Sequence, residues 1–123
     1  MSSPTTAAAV AGLCRDLDVK VREYDGLTTR RAGAEVDFKA ARARRIMRAR
    51  SEGAKSIAEA ETIAAADEGL EVLWREYLLA DALVDAAQKS ILALRDRIGF
   101  GRSVIANERA ADTLHGHGVG GAA

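Results

Sequence analysis

The stretch IAAADEGLEVLWREYLLADALVDAAQKSILALRDRI, Ile63 to Ile98, decides the fold. Its apolar residues fall at Ile63, Ala66, Leu70, Leu73, Tyr77, Ala80, Val84, Ala87, Ile91, Leu94 and Ile98, separated alternately by three and four. That spacing keeps one narrow stripe on one side of a helix, the pattern of a helix wound against a partner. It predicts one long helix from 63 to 98 and requires a second helix to cover the stripe.

The N-terminal half supplies the partner. Ser3 and Pro4 suit an N-cap and a first helical position, so a first helix is expected from there to about Arg50. Its seam reads Val10, Cys14, Leu17, Val21, Tyr24 and then, after a shift of phase, Leu27, Ala34, Phe38, Ala41. Gly12, Gly26 and Gly33 interrupt it, each at a cost of about 1 kcal/mol relative to alanine. The pair Asp25-Gly26 predicts a break or kink.

Ser51-Glu52-Gly53-Ala54-Lys55 is the plausible reversal. Ser56-Ile57-Ala58-Glu59 follows as a capping box, in which the Ser56 hydroxyl accepts from the Glu59 amide and the Glu59 carboxylate reaches back to the Ser56 amide. Glu59 and Glu61 lie in the first turn of the second helix, and Arg44, Arg45, Arg48 and Arg50 in the last turns of the first. Both sets carry the sign that the helix dipole favours. The expected fold is therefore all-α: a long antiparallel, coiled-coil-like helical hairpin over residues 1–114 with its tip near 51–55. Ile98-Gly99-Phe100-Gly101 weakens the second helix, and the phase resumes at Ile105, predicting a kinked continuation to about Leu114. Residues 115–123, rich in glycine and histidine, are expected to form a disordered tail.

Composition narrows the function classes. The 18 Lys and Arg balance the 18 Asp and Glu, so net charge draws the chain neither to nucleic acid nor to an anionic membrane. Aromatic residues make up 4%, and alanine is abundant, which favours a thin helical seam over a thick core. A single cysteine, Cys14, cannot close an intramolecular disulfide and points to a reducing, cytoplasmic setting. The start lacks the basic region of a signal peptide, and the apolar run at 7–11 is too short for a span. No nucleophile motif, phosphate-binding glycine loop or Cys/His cluster is present. His115 and His117 offer two metal ligands on a glycine-rich segment, too few for a site. The expectation is a non-enzymatic protein with neither cofactor nor metal.

Two surfaces remain. Lys39, Arg42, Arg44, Arg45, Arg48, Arg50 and Lys55 share their stretch with one acid, Glu52. Arg44, Arg45, Arg48, Arg50 and Lys55 form a candidate phosphate-contacting tip. The preferred reading is neutralisation within the hairpin, because Glu59 to Asp85 holds eight acids against Arg75. The second surface is an apolar stripe beside the seam of the second helix. Val72, Leu79, Leu83 and Ala86, with Trp74 on the other flank, make a face too wide for one partner helix. Self-association is the preferred cover, ahead of a folded-back 102–114 segment or a heterologous phage or host protein; Trp74 itself suits packing more than a binding hot spot.

The order of parts resembles small helical-hairpin proteins of unknown function encoded by actinobacterial phages and prophages. The likeness rests on Arg50 to Glu61 at the turn, Tyr77-Leu78-Leu79-Ala80, Leu94-Arg95-Asp96-Arg97-Ile98 and Gly101-Arg102-Ser103, and spans roughly residues 20 to 110. Gly99 departs from the helix-favouring residue expected there. The resemblance implies a phage context, often near replication and recombination genes, and transfers no catalytic residue. The functional expectation is a non-enzymatic interaction or scaffold protein acting as a homo-oligomer, paired into a dimeric four-helix assembly. The alternative is an accessory nucleic-acid-binding protein acting through the basic tip in phage replication or recombination.

Overall fold

The computed structural model describes the backbone of residues 4–121 and the side chains of residues 6–114. The described chain is all-helical: α1 runs Pro4–Ser51, α2 Ile57–Ala65 and α3 Glu68–Gly121. The long helices α1 and α3 pack against each other as a helical hairpin. The capping role of Ser3 falls outside the described residues, as do the side chains of the expected 115–123 tail, although the α3 backbone runs to Gly121.

The tip is at the expected place, and its hydrogen bonds explain why. The Gly53 amide donates to the Arg50 carbonyl at 3.3 Å, and the Ala54 amide to the Ala49 carbonyl at 3.0 Å. These two bonds are the Schellman pair that ends a helix. Gly53 sits between them with φ of 112°, a conformation that costs a side-chain-bearing residue energy. Ser56 then caps α2, accepting from the Glu59 amide at 3.1 Å. The return bond differs from the expected box: the Glu59 carboxylate accepts from the Lys55 amide at 2.8 Å, one residue earlier than Ser56. Replacing Ser56 with alanine leaves that Glu59 amide without its acceptor. We expect Ser56→Ala to lower unfolding free energy by about 1 kcal/mol, read from the urea midpoint; an unchanged midpoint would show that the cap is dispensable.

Two expectations about helix continuity are corrected, and a third holds. First, 63 to 98 is not one helix. The chain breaks at Ala66-Asp67, where the Asp67 Oδ1 accepts from the Leu70 amide at 3.1 Å and caps α3. Asp67 is a better N-cap than an interior helical residue, because its short carboxylate competes with the backbone for amides. Ala66, counted in the seam, is exposed, and Ala60 and Ala64 bury the inner face of α2 instead. Second, α1 runs unbroken through Gly12, Asp25-Gly26 and Gly33. The continuation expected past Ile98 is present: α3 passes through Gly99 and Gly101 as helix, and the 102–114 segment extends it, which rules out the alternative of a folded-back segment.

The α1 seam has no phase shift either. Val10, Leu13, Leu17, Lys20, Tyr24, Leu27, Arg31, Ala34, Phe38, Ala41 and Arg45 are all half-buried and step alternately by three and four. Val21, expected inside, is 38% exposed. Lys20, Arg31 and Arg45 hold seam positions that a purely apolar template skips. Long side chains of this kind cover apolar surface with their stems while the charged head reaches outward.

The structure divides into two compact units, one of Tyr24–Ala86 and one of Met1–Glu23 with Ala87–Ala123. In the first, the core is built from Ala49, Ala60, Ala64, Leu70, Ala80 and Val84. Interhelix ion pairs fix its register, Arg31 to Asp81 at 3.2 Å and Arg45 to Asp67 at 3.0 Å. In the second, Ala87, Ile91 and Ile98 are buried. There α1 approaches so closely that a Cβ added to Gly101 would lie 2.5 Å from the Val10 Cγ2. Among the described residues no helix is long and apolar enough to cross a membrane.

Candidate functional site

The basic residues near the tip separate into two groups. Arg45 is part-buried, and its Nε donates to the Asp67 Oδ2 at 3.0 Å. Its Nη1 is sealed from solvent without a hydrogen-bond partner. Arg48 pairs with Glu52 one turn on, at 3.6 Å. The Arg50 Nη1 donates to the Ala54 carbonyl at 3.3 Å, which ties it to the tip backbone. These three serve local structure. Arg44 and Lys55 are different. Arg44 is exposed and Lys55 lies in the tip itself, and neither side chain forms an ion pair among the described residues.

Glu59 and Glu61, two of the eight acids expected to neutralise the basic stretch, form no ion pair with its arginines. Glu59 is held by the Lys55 amide. Neutralisation comes from Asp67, another of those eight, and from Glu52 within the tip. The capping role of Asp67 is not evident from the apolar spacing, although an aspartate three residues before Leu70 and followed by Glu68-Gly69 carries the composition of a helix start. A groove of about 420 Å³ lies beside this pair, lined by Arg44, Arg45, Arg48, Asp67, Gly69 and Leu73 among others.

The amide of Leu70, and after it the guanidinium of Arg45, hold the Asp67 carboxyl below the usual carboxylate range, against an opposing push from partial burial. A carboxyl with its folded pKa lowered stabilises the fold above its unfolded value and loses that contribution as pH falls through the folded one. The window therefore lies below about pH 4. Asp67→Asn keeps a capping oxygen but removes the charge. We expect wild type to be the more stable of the two at neutral pH, and the gap to shrink on acidification. Urea titrations of both proteins at pH 7 and near pH 2 measure it; a gap independent of pH would show that the Arg45–Asp67 charge pair contributes nothing.

The apolar residues beside the α3 seam also separate. Trp74 is turned onto α1: its ring lies 5.0 Å from that of Phe38 and 5.7 Å from that of Tyr77. Such tilted ring pairs are favourable packing, and Trp74 keeps 43% of its surface exposed beside them. Leu83 is half-buried. Val72 and Leu79 remain 57% and 52% exposed. Leu78, Leu92 and Phe100, outside the stripe of Val72, Leu79, Leu83 and Ala86, are exposed as well. Cys14 is half-buried with a free thiol. Among the described residues no group of three or more His, Cys, Asp or Glu is gathered to hold a metal.

No family model, curated protein or solved structure matches the chain. The surfaces must be read from their own chemistry. One is a small basic tip with two unpaired cations; the other is an apolar face on a helix whose inner side is already filled.

Proposed function

We propose that this chain is a non-enzymatic interaction or scaffold protein that works as a homo-oligomer. The observation that carries the reading is the exposure of Val72 and Leu79 on α3, while Leu70, Ala80, Val84 and Ala87 already fill the seam with α1. Large aliphatic side chains on the outside of an already packed hairpin favour burial against another chain. A cytoplasmic setting and a phage or prophage origin belong to the same proposal, the first supported by the single free cysteine and the second by the resemblance at the turn and along α3.

Sedimentation equilibrium of the whole chain at micromolar concentration tests the reading. We expect a mass above that of one chain. A single-chain mass with full helical circular dichroism would overturn it.

The second reading is an accessory nucleic-acid-binding role at the tip, favoured by the unpaired Arg44 and Lys55. Two free cations make a small electrostatic footprint, and each phosphate contact on single strands contributes a log–log salt slope of about −0.7. Under the leading reading, anisotropy of a labelled oligonucleotide shows negligible binding near physiological salt. Micromolar binding that weakens with salt and is lost in an Arg44→Ala, Lys55→Ala variant would reverse the ranking.

A further inference from the structure

The groove of about 420 Å³ beside the start of α3 gathers Arg44, Arg45 and Arg48 from α1 against a single acid in its wall, Asp67. All four belong to the compact unit of residues 24–86. The walls thus carry an excess of positive charge in a chain whose net charge is zero. Ala41 and Leu73, both half-buried, supply an apolar margin. Gly69 adds no side chain to the wall, and a Cβ there would crowd the Asp67 Oδ1 at 3.2 Å.

The three cations are unequally satisfied. Asp67 already has a donor on each oxygen: the Leu70 amide on Oδ1 at 3.1 Å and the Arg45 Nε on Oδ2 at 3.0 Å. The Arg45 Nη1 remains buried with no partner. A buried donor without an acceptor is rare in folded proteins and is one mark of a missing ion or water. In its low-dielectric surroundings the charge of Arg45 is also felt more strongly in the groove. Arg44 is exposed and forms no ion pair among the described residues. Arg48 meets Glu52 only at 3.6 Å, with the two side chains 60% and 61% exposed. An exposed pair of that kind contributes little and is readily exchanged.

We propose that this groove binds the phosphate group of a small organic phosphate. Arg44 and Arg48 hold the phosphate oxygens, Arg48 exchanging Glu52 for the ligand. Arg45, fixed by Asp67, contributes its charge from behind them. The organic part of the ligand rests against Ala41 and Leu73. The site shares Arg44 with the nucleic-acid reading of the tip but is distinct from it, because Lys55 does not line the groove. It does not depend on self-association.

The chemistry of the walls selects this ligand class. Three guanidinium groups less one carboxylate leave two positive charges, which a phosphate ester matches at neutral pH with its charge of about −1.5 to −2. The planar fork of arginine fits phosphate oxygens, and a charge-assisted bond of this kind is stronger than a neutral one. A carboxylate ligand would carry a single charge and compete with Glu52 on equal terms. The volume leaves room for more than a bare phosphate and lies within the roughly 300–1,000 Å³ of small-molecule sites. The α3 amides are not the donors, since Asp67 already takes that of Leu70.

Isothermal titration calorimetry of the whole chain with phenyl phosphate, inorganic phosphate and benzoate tests the site. We expect saturable binding of phenyl phosphate with a Kd below about 1 mM, weaker binding of inorganic phosphate, and no binding of benzoate. Arg44→Gln and Arg48→Gln, at exposed positions, should each weaken phenyl phosphate binding about tenfold, and Glu52→Gln, which removes the competing carboxylate, should tighten it about threefold. Lys55→Ala should leave it unchanged. Helical circular dichroism of each variant confirms that the hairpin is kept. Absence of saturable phenyl phosphate binding to helical wild type would overturn the proposal. So would benzoate binding as tightly as phenyl phosphate, or equal affinities in wild type and both arginine variants, which would mean an adventitious ion only. Binding seen with a single-stranded oligonucleotide alone, and lost in Lys55→Ala, would place the phosphate contacts on the tip and reject the groove.

Discussion

Replacing Ile91 with alanine is expected to lower the unfolding free energy by about 2–4 kcal/mol, and replacing its neighbour Leu92 by less than about 0.5. The two residues are adjacent and nearly equal in apolar content, but Ile91 is 8% exposed and Leu92 56%. Ile91 lies on the inner face of α3 with Ala87 and Ile98. Truncating it removes transfer free energy and leaves a cavity in a seam only one residue thick, which neighbouring alanines cannot fill. Leu92 has little burial to lose. Urea denaturation at one fixed protein concentration measures both, since a linked assembly makes apparent stability depend on concentration. Equal losses at 91 and 92 would mean that the seam runs in a different phase.

That phase is the part of the fold most legible in the sequence. Leu70, Ala80, Val84, Ala87, Ile91 and Ile98 all take the inner positions that the three-and-four spacing assigns to them. The tip is legible for a different reason. Gly53 with φ of 112° and Ser56 on the Glu59 amide are local chemistry, decided within a few residues of chain. What escapes the sequence is decided by competition. A break at Asp25-Gly26 is a sound local expectation, yet α1 continues, because tertiary packing on both sides of Gly26 outweighs a propensity cost of about 1 kcal/mol. The apparent phase shift in α1 arises because Lys20 and Arg31 hold seam positions and a hydrophobic template passes over them. The break at Ala66-Asp67 is hidden by the reverse effect: the apolar spacing carries on through it, while the carboxylate of Asp67 takes the Leu70 amide and restarts the helix.

The candidate surfaces were legible as composition but not as commitment. Arg45 and Arg48 look as available as Arg44 in the sequence, and only folding assigns them to Asp67 and Glu52. Trp74 reads as an edge residue suited either to packing or to an interface, and three-dimensional proximity places it on Phe38. Phe100 lies in a glycine-flanked segment that reads as a weakening of the helix. The structure keeps that segment helical, and Phe100 is 73% exposed.

The glycines around Phe100 have opposite expected effects, although each replaces a poor helix former in one helix. Nothing lies within 4 Å of a Cβ added to Gly99. Gly99→Ala should therefore stabilise the chain by up to about 1 kcal/mol through helix propensity and a less disordered unfolded state. At Gly101 the added carbon would lie 2.5 Å from the Val10 Cγ2. Val10 is β-branched and held near one rotamer within a helix, so it cannot swing aside. The helices must part, at an overpacking cost of about 1–3 kcal/mol that opposes the propensity gain. Gly101→Ala is thus expected to be neutral at best and destabilising by up to about 2 kcal/mol. The cause can be isolated by a double-mutant cycle. With Val10→Ala as background the obstructing methyl is gone, and Gly101→Ala should become stabilising, as Gly99→Ala is in wild type. If Gly101→Ala has the same effect in both backgrounds, close approach of α1 to Gly101 is not what selects glycine there.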